Sequence, residues 1–254
     1  SNNTAVGFES LCANTTASCN TAVGKSAMAA TTTGCRNVAV GAGALKTNTT
    51  GDANVAIGRE ALGVATTADN NTSVGFDSLQ ANTTGAENTA VGKDALFANT
   101  TGCQNTAVGL SSMFTNTTGC QNVAMGRQSL HDNTTGKCNV ALGYNSLFNN
   151  ETADNNTAVG THALFANTTG ANSVAVGCGA LTDNTVGDQN TAVGGTALGD
   201  NTEGEYNSAF GYNALRKNTT ADNNTALGYY ALACNTTGAN SVAVGCGALN
   251  DNTI

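Results

Sequence analysis

The side chains best equipped for covalent chemistry in this 254-residue chain are its nine cysteines. Cys103 and Cys120 lie 17 residues apart, and Cys19 and Cys35 lie 16 apart. A disulfide needs Cα atoms within about 4.4–6.8 Å of each other. Both pairs reach that range if the chain returns over itself every 17 residues, and both are candidate disulfides on that condition. Cys138 follows Cys120 by 18 residues and competes for it, Cys178 and Cys246 are too far apart to pair, and Cys12 and Cys234 lack an obvious intrachain partner. An odd total leaves at least one thiol unbonded or bonded to another chain. No C-x-x-C occurs, and the only two histidines, His131 and His162, have no matching column of ligands, so no metal site is expected.

Other reactive groups are scattered. His131 and His162 read as solvated side chains, and the acids form no repeated D-x-D column, so no catalytic residue and no cofactor are assigned and the chain is not read as an enzyme. Asp69, Asp154 and Asp222 recur in the string TADNNT, where a calcium ion at a corner is conceivable but lacks a consistent second carboxylate. Glycosylation acceptors of the form N-x-[ST] recur at Asn82, Asn99, Asn116 and elsewhere. The same asparagine column persists where the acceptor pattern is lost, at Asn184, Asn201 and Asn252, which favours a structural role inside a turn.

The element that must position all of these is a repeat. Glycines stand at 7, 24, 41 and so on to 245, every 17 residues without insertion, around the consensus N-T-A-V-G-x-x-A-L-x-x-N-T-T-G-x-x. With those letters numbered one to seventeen, position three is Ala except for Ser73, and position nine is Leu except for Met28 and Met113. Position twelve is Asn except for Thr31 and Ala65. Seventeen residues rich in Thr, Asn, Gly and Val cannot hold two packed helices, and a strict period means that each repeat adds the same rotation and rise. The expectation is an all-β, single-domain parallel β-solenoid over residues 1–254, about fifteen 17-residue coils stacked at the inter-strand spacing of about 4.8 Å. Position five becomes a glycine ladder, with positive φ or no room for a Cβ. Positions one and twelve become asparagine ladders, and position nine a leucine column filling a narrow interior. Near-identical blocks at 171–185 and 239–253, four coils apart, indicate duplication.

Composition narrows the function. A formal net charge of −8 and a pI of about 4.5 argue against a nucleic-acid partner, which needs a basic footprint. No apolar run is long enough to insert in a membrane.

The repeat resembles those of tail-fibre-domain and phage-fibre-like proteins, in which N-T-A-x-G-x-x-A-L-x-x-N-T-T-G units run in tandem. The strings NSVAVG at 172–177 and 240–245 resemble, more distantly, the head repeats of trimeric autotransporter adhesins. The resemblance covers the whole chain and implies a scaffold displayed outside the cell or on a virion. The adhesin heads are homotrimers whose coils pack around a common axis, which would cover one face of the T-A-V strand.

That strand carries the main functional hint. Alternate residues of a strand point to opposite faces, yet positions two, three and four are apolar or Thr apart from Ser73 and Ser208, so both faces are poor in water-seeking groups. One face fills the solenoid; the other is a long apolar and Thr surface, the kind that marks an interaction site. Its candidate contact residues are Thr4, Thr21, Thr72, Thr89, Thr106, Thr157, Thr191 and Thr225. The first reading is an extracellular structural or adhesive fibre that associates with itself, laterally or end to end. The alternative is ice binding through the regular Thr columns at positions two and thirteen. The adjacent positions thirteen and fourteen, expected to point opposite ways, supply no outward T-x-T pair. A third reading, glycan binding, rests on the partial aromatic stripe Phe97, Phe114, Phe148 and Phe165, for which corner packing is the plainer account.

Overall fold

The computed structural model describes residues 2–253. They are all-β: fifteen three-residue strands, one per 17-residue coil, and no helix among the described residues. No helix is long and apolar enough to cross a membrane. The chain clusters into two compact units, one up to Arg127 and one from Gln128. In the first, β1 (Thr4–Val6), β2 (Thr21–Val23), β3 (Val38–Val40), β4 (Val55–Ile57), β5 (Thr72–Val74), β6 (Thr89–Val91), β7 (Thr106–Val108) and β8 (Val123–Met125) pair in parallel, each with the next. In the second, β9 (Val140–Leu142), β10 (Thr157–Val159), β11 (Val174–Val176), β12 (Thr191–Val193), β13 (Ser208–Phe210), β14 (Thr225–Leu227) and β15 (Val242–Val244) do the same. Every pairing joins equivalent positions of consecutive coils, as in Thr72↔Thr89 and Thr89↔Thr106. This is the parallel β-solenoid that the period requires.

The interior is narrow, and small side chains decide which strand face fills it. Position three points in: Ala90, Ala107, Ala158 and Ala192 are fully buried. The bulkier position four points out, so size and not hydrophobicity sorts the two faces. Opposite the alanines lie the Ala or Ser of position eight and the leucines of position nine, Leu96 and Leu164 among them, which have no exposed surface. Ser73, the one departure at position three, is satisfied within its own coil by Ser78, through contacts of 2.8 Å to its carbonyl and 2.6 Å to its hydroxyl.

The two asparagine ladders form the remaining inner walls. At position one, the backbone N–H of each coil donates to the side-chain oxygen of the coil before, as from Asn54 to Asn37 at 2.8 Å and from Asn156 to Asn139 at 2.9 Å. At position twelve the amide groups chain directly: Asn99 Nδ2 donates to Asn82 Oδ1 at 2.8 Å, and Asn184 Nδ2 to Asn167 Oδ1 at 2.9 Å. The ladders thereby pair buried polar groups, as a dry interior demands, with Asn14 Oδ1 and the Thr31 hydroxyl among the exceptions.

The coil bends by left-handed backbone at four positions. Position five is always glycine; Gly92 has φ +134° and a Cβ there would sit 2.5 Å from the carbonyl oxygen of Gly109. Positions seven, nine and seventeen also have positive φ, with Asp94 at 56°, Leu96 at 51° and Gln104 at 58°. Leucine in this region is uncommon because its Cβ crowds the following carbonyl. The sequence reading did not anticipate this column. The recurrence of Asn at position seventeen (Asn70, Asn155, Asn172, Asn223, Asn240) was a usable signal for one of the three, since Asn tolerates the left-handed region.

Candidate functional site

The outward strand face is built from positions two and four. Position two is Thr, Val or Ser and position four Val, Ile, Leu, Met or Phe, with no charged residue at either in any coil. In the first unit Thr21, Thr72, Thr89 and Thr106 are half-buried in register on this face, and Thr4 is exposed. In the second unit Thr157, Thr191 and Thr225 are half-buried on the equivalent face. Position four stands further out and uneven in height: Met125 is 47% exposed, Phe210 40% and Leu227 49%. Beside it, position six adds Tyr212 and Tyr229, stacked with ring centroids 5.8 Å apart, and Tyr230 packs 4.5 Å from Tyr229. Coils thirteen and fourteen therefore carry a contiguous aromatic and aliphatic patch.

The second Thr column behaves differently. At position thirteen each hydroxyl donates to the backbone carbonyl of the next coil, as from Thr83 to Thr100 and from Thr168 to Thr185, both at 3.0 Å. Their protons are committed to the scaffold. Positions thirteen and fourteen do not alternate as strand residues would. The chain bends there, and Thr100 is half-buried and Thr101 exposed.

Position sixteen has a specific role. Its aspartates reach back to the preceding coil and accept the backbone N–H of the equivalent residue: Asp69 from Asp52 at 2.7 Å, Asp154 from Lys137 at 2.6 Å and Asp222 from Glu205 at 2.8 Å. These are the acids considered for calcium, and each has one carboxylate oxygen engaged by backbone. Among the described residues no group of three or more His, Cys, Asp or Glu side chains is arranged to hold a metal ion.

Three cysteines, Cys35, Cys103 and Cys120, occupy the same position. Cys120 Sγ accepts the N–H of Cys103 at 3.1 Å, and the two sulfurs are 2.9 Å apart. Cys35 likewise caps Ser18, through its N–H at 3.4 Å and its hydroxyl at 3.7 Å. Cys19 is one position further on, exposed, with φ 60°. The structure thus brings Cys103 to Cys120 but gives Cys35 a serine partner instead of Cys19. No pair of sulfurs is at bonding distance among the described residues.

The remaining candidates are dispersed. His131 Nδ1 lies 2.6 Å from Asp132 Oδ1, with its ring stacked on Phe148 at 4.8 Å. His162 meets Tyr144 and Phe165 edge-on at 5.4 and 5.3 Å. The stripe at position ten stacks along the coils, Phe97 on Phe114 at 5.1 Å and Phe148 on Phe165 at 5.5 Å. Shallow notches open where position seven is glycine, beside Lys25 and Glu60 at Gly43 and beside His162 and Asp183 at Gly179. The acceptor asparagines Asn82, Asn99 and Asn116 are fully buried with their amide nitrogens bonded to the carbonyls of Gly85, Gly102 and Gly119, so these three present no nitrogen for a glycan.

No protein-family model and no curated protein matches the chain.

Proposed function

We propose that the chain is a structural module of an extracellular or virion-surface fibre, in which the outward strand face packs laterally on further copies of the same chain. One observation carries this reading: columns two and four contain no charge in any coil and leave large apolar side chains half-exposed in register. Continuous apolar surface of this kind is uncommon on a monomer. The patch around Phe210, Tyr212, Leu227 and Tyr229 has the aromatic content of an interface centre. No catalytic role is part of this reading.

Light scattering on the full chain tests it. Association that is lost on Val91→Lys plus Phe210→Lys supports the contact, because both side chains point outward and their replacement leaves the interior intact. A monomer at all attainable concentrations overturns it. Ice binding is the second reading, favoured by the in-register β-branched residues at position two. The protruding Met125, Phe210 and Leu227 count against a flat lattice-matching plane. Thermal hysteresis from a monomer would establish ice binding in its place.

A further inference from the structure

The geometry points to Cys103 and Cys120 as a thiol pair that a small-molecule disulfide oxidises to a clasp between consecutive coils. The inference is independent of what the strand face binds. It rests on the job done at position sixteen. A side chain there reaches back over the preceding coil to accept the equivalent N–H, and aspartate does so at 2.6–2.7 Å over Cys35, Asp52 and Ala171. Cys120 does the same with sulfur, over Cys103. Since the residue it reaches over is itself a cysteine, capping draws one Sγ onto the other, at 2.9 Å. Cys35 performs the same cap over Ser18, and there the column offers no second thiol. The pair is thus a product of the fold's own hydrogen bonding.

Bond formation requires the sulfurs to close to about 2.05 Å, a movement of under about 1 Å that side-chain rotation can supply. Both cysteines are half-buried, open to a small reagent. With oxidised glutathione, one cysteine loses its proton and attacks a glutathione sulfur, forming a mixed disulfide and releasing one glutathione thiolate. The other cysteine, also deprotonated, attacks the protein sulfur of that mixed disulfide, forming the Cys103–Cys120 bond and expelling the second glutathione. Two electrons pass to glutathione, and the two cysteine protons end on the two thiols released.

Trypsin cuts after Lys93 and Arg127 and nowhere between, so both cysteines fall in one peptide, residues 94–127. The reduced full chain is treated with oxidised glutathione, its remaining thiols are capped with iodoacetamide, and it is digested. The expected peptide carries no cap and is two hydrogen atoms lighter than its reduced form. The oxidised chain is expected to melt on the order of 5 °C above the reduced one, because the bond restricts the unfolded chain. Cys120→Asp restores the carboxylate cap of the column, so it folds, and its melting does not respond to the oxidant. Two capped cysteines, two glutathione adducts, a link to a cysteine elsewhere, or a linked peptide with unchanged melting would each overturn the inference.

Discussion

The side-chain oxygen of Asn105 accepts both the backbone N–H of Asn122, at 3.0 Å, and its side-chain amide, at 3.2 Å. The Asn105 side-chain amide in turn donates to Gly119 O at 2.8 Å and to Asn88 Oδ1 at 3.2 Å. One buried side chain thus satisfies backbone groups at the end of its own coil and the start of the next, and joins the coil before it. Asn105→Ala takes from the buried Asn122 N–H its Asn105 acceptor and from the Gly119 carbonyl one of two donors, Asn116 Nδ2 remaining. The expected loss is about 1–3 kcal/mol, the cost of one buried group that loses its partner. Denaturant titration checks it, and a loss below 1 kcal/mol, the order of one exposed hydrogen bond, would refute the ladder's role.

Where the ladder is broken, it can be mended. Position twelve of the second coil is Thr31, whose hydroxyl is buried without a partner, and Asn14 Oδ1 in the coil before is left unpartnered too. Thr31→Asn supplies an amide for Asn14 and follows the column on either side. A gain of about 1–2 kcal/mol is expected, the usual yield of repairing a buried polar defect. A destabilised variant would mean that the second coil is too tight for the larger side chain.

Leu96 combines full burial with φ 51°. Leu96→Ala is expected to cost about 3–4 kcal/mol through lost contacts and the cavity left. In ordinary backbone a Gly variant would be worse still. Here glycine escapes the left-handed penalty of about 1–2 kcal/mol, so Leu96→Gly should fall within about 1 kcal/mol of the Ala variant. Leu96→Asp, which places a charge in the same narrow space, should not fold.

Asp77 gives a pH-dependent test. Burial, with one carboxylate oxygen unpartnered, raises its pKa above the ordinary 3.8; repulsion from Asp94 adds to the rise, and Arg59 and Lys93 oppose it. The folded chain therefore holds this proton more tightly than the unfolded one. The site's contribution is full below pH 3.8 and is lost as pH climbs through the raised value. Asp77→Asn should melt like the parent in acid and about a degree higher at neutral pH, since Asn also suits the left-handed backbone at this position. A gap that widens toward acid would reverse the sign and reject the assignment.

Much of the fold was legible because its columns are repeated. The invariant glycine, the leucine of position nine and both asparagine ladders follow from the period and from what a narrow stacked interior tolerates. Which face of T-A-V points inward was marked only by the Thr residues placed on the outer face, because Ala and Val are both apolar; the diameter of the interior decides. The left-handed leucines were hidden because tertiary stacking overrides a local preference that leucine sequences normally obey. The cap at position sixteen was hidden for a different reason. Asp and Cys share only the ability to accept a backbone N–H, and that kinship shows once the neighbouring coil is in place. Spacing alone placed Cys103 beside Cys120, whereas the Cys35 sulfur meets Ser18, one residue before Cys19.

Nearly all the ladder bonds join a residue to its equivalent 17 places away, as between Asn82 and Asn99 or between Thr185 and Thr202. Removing or inserting a whole coil would therefore give each severed donor an identical acceptor. Unequal recombination between near-copies such as 171–185 and 239–253 becomes a structurally silent event. Such a gene can drift in length while its product keeps the same cross-section, so the number of coils is open to selection separately from the chemistry of any one of them.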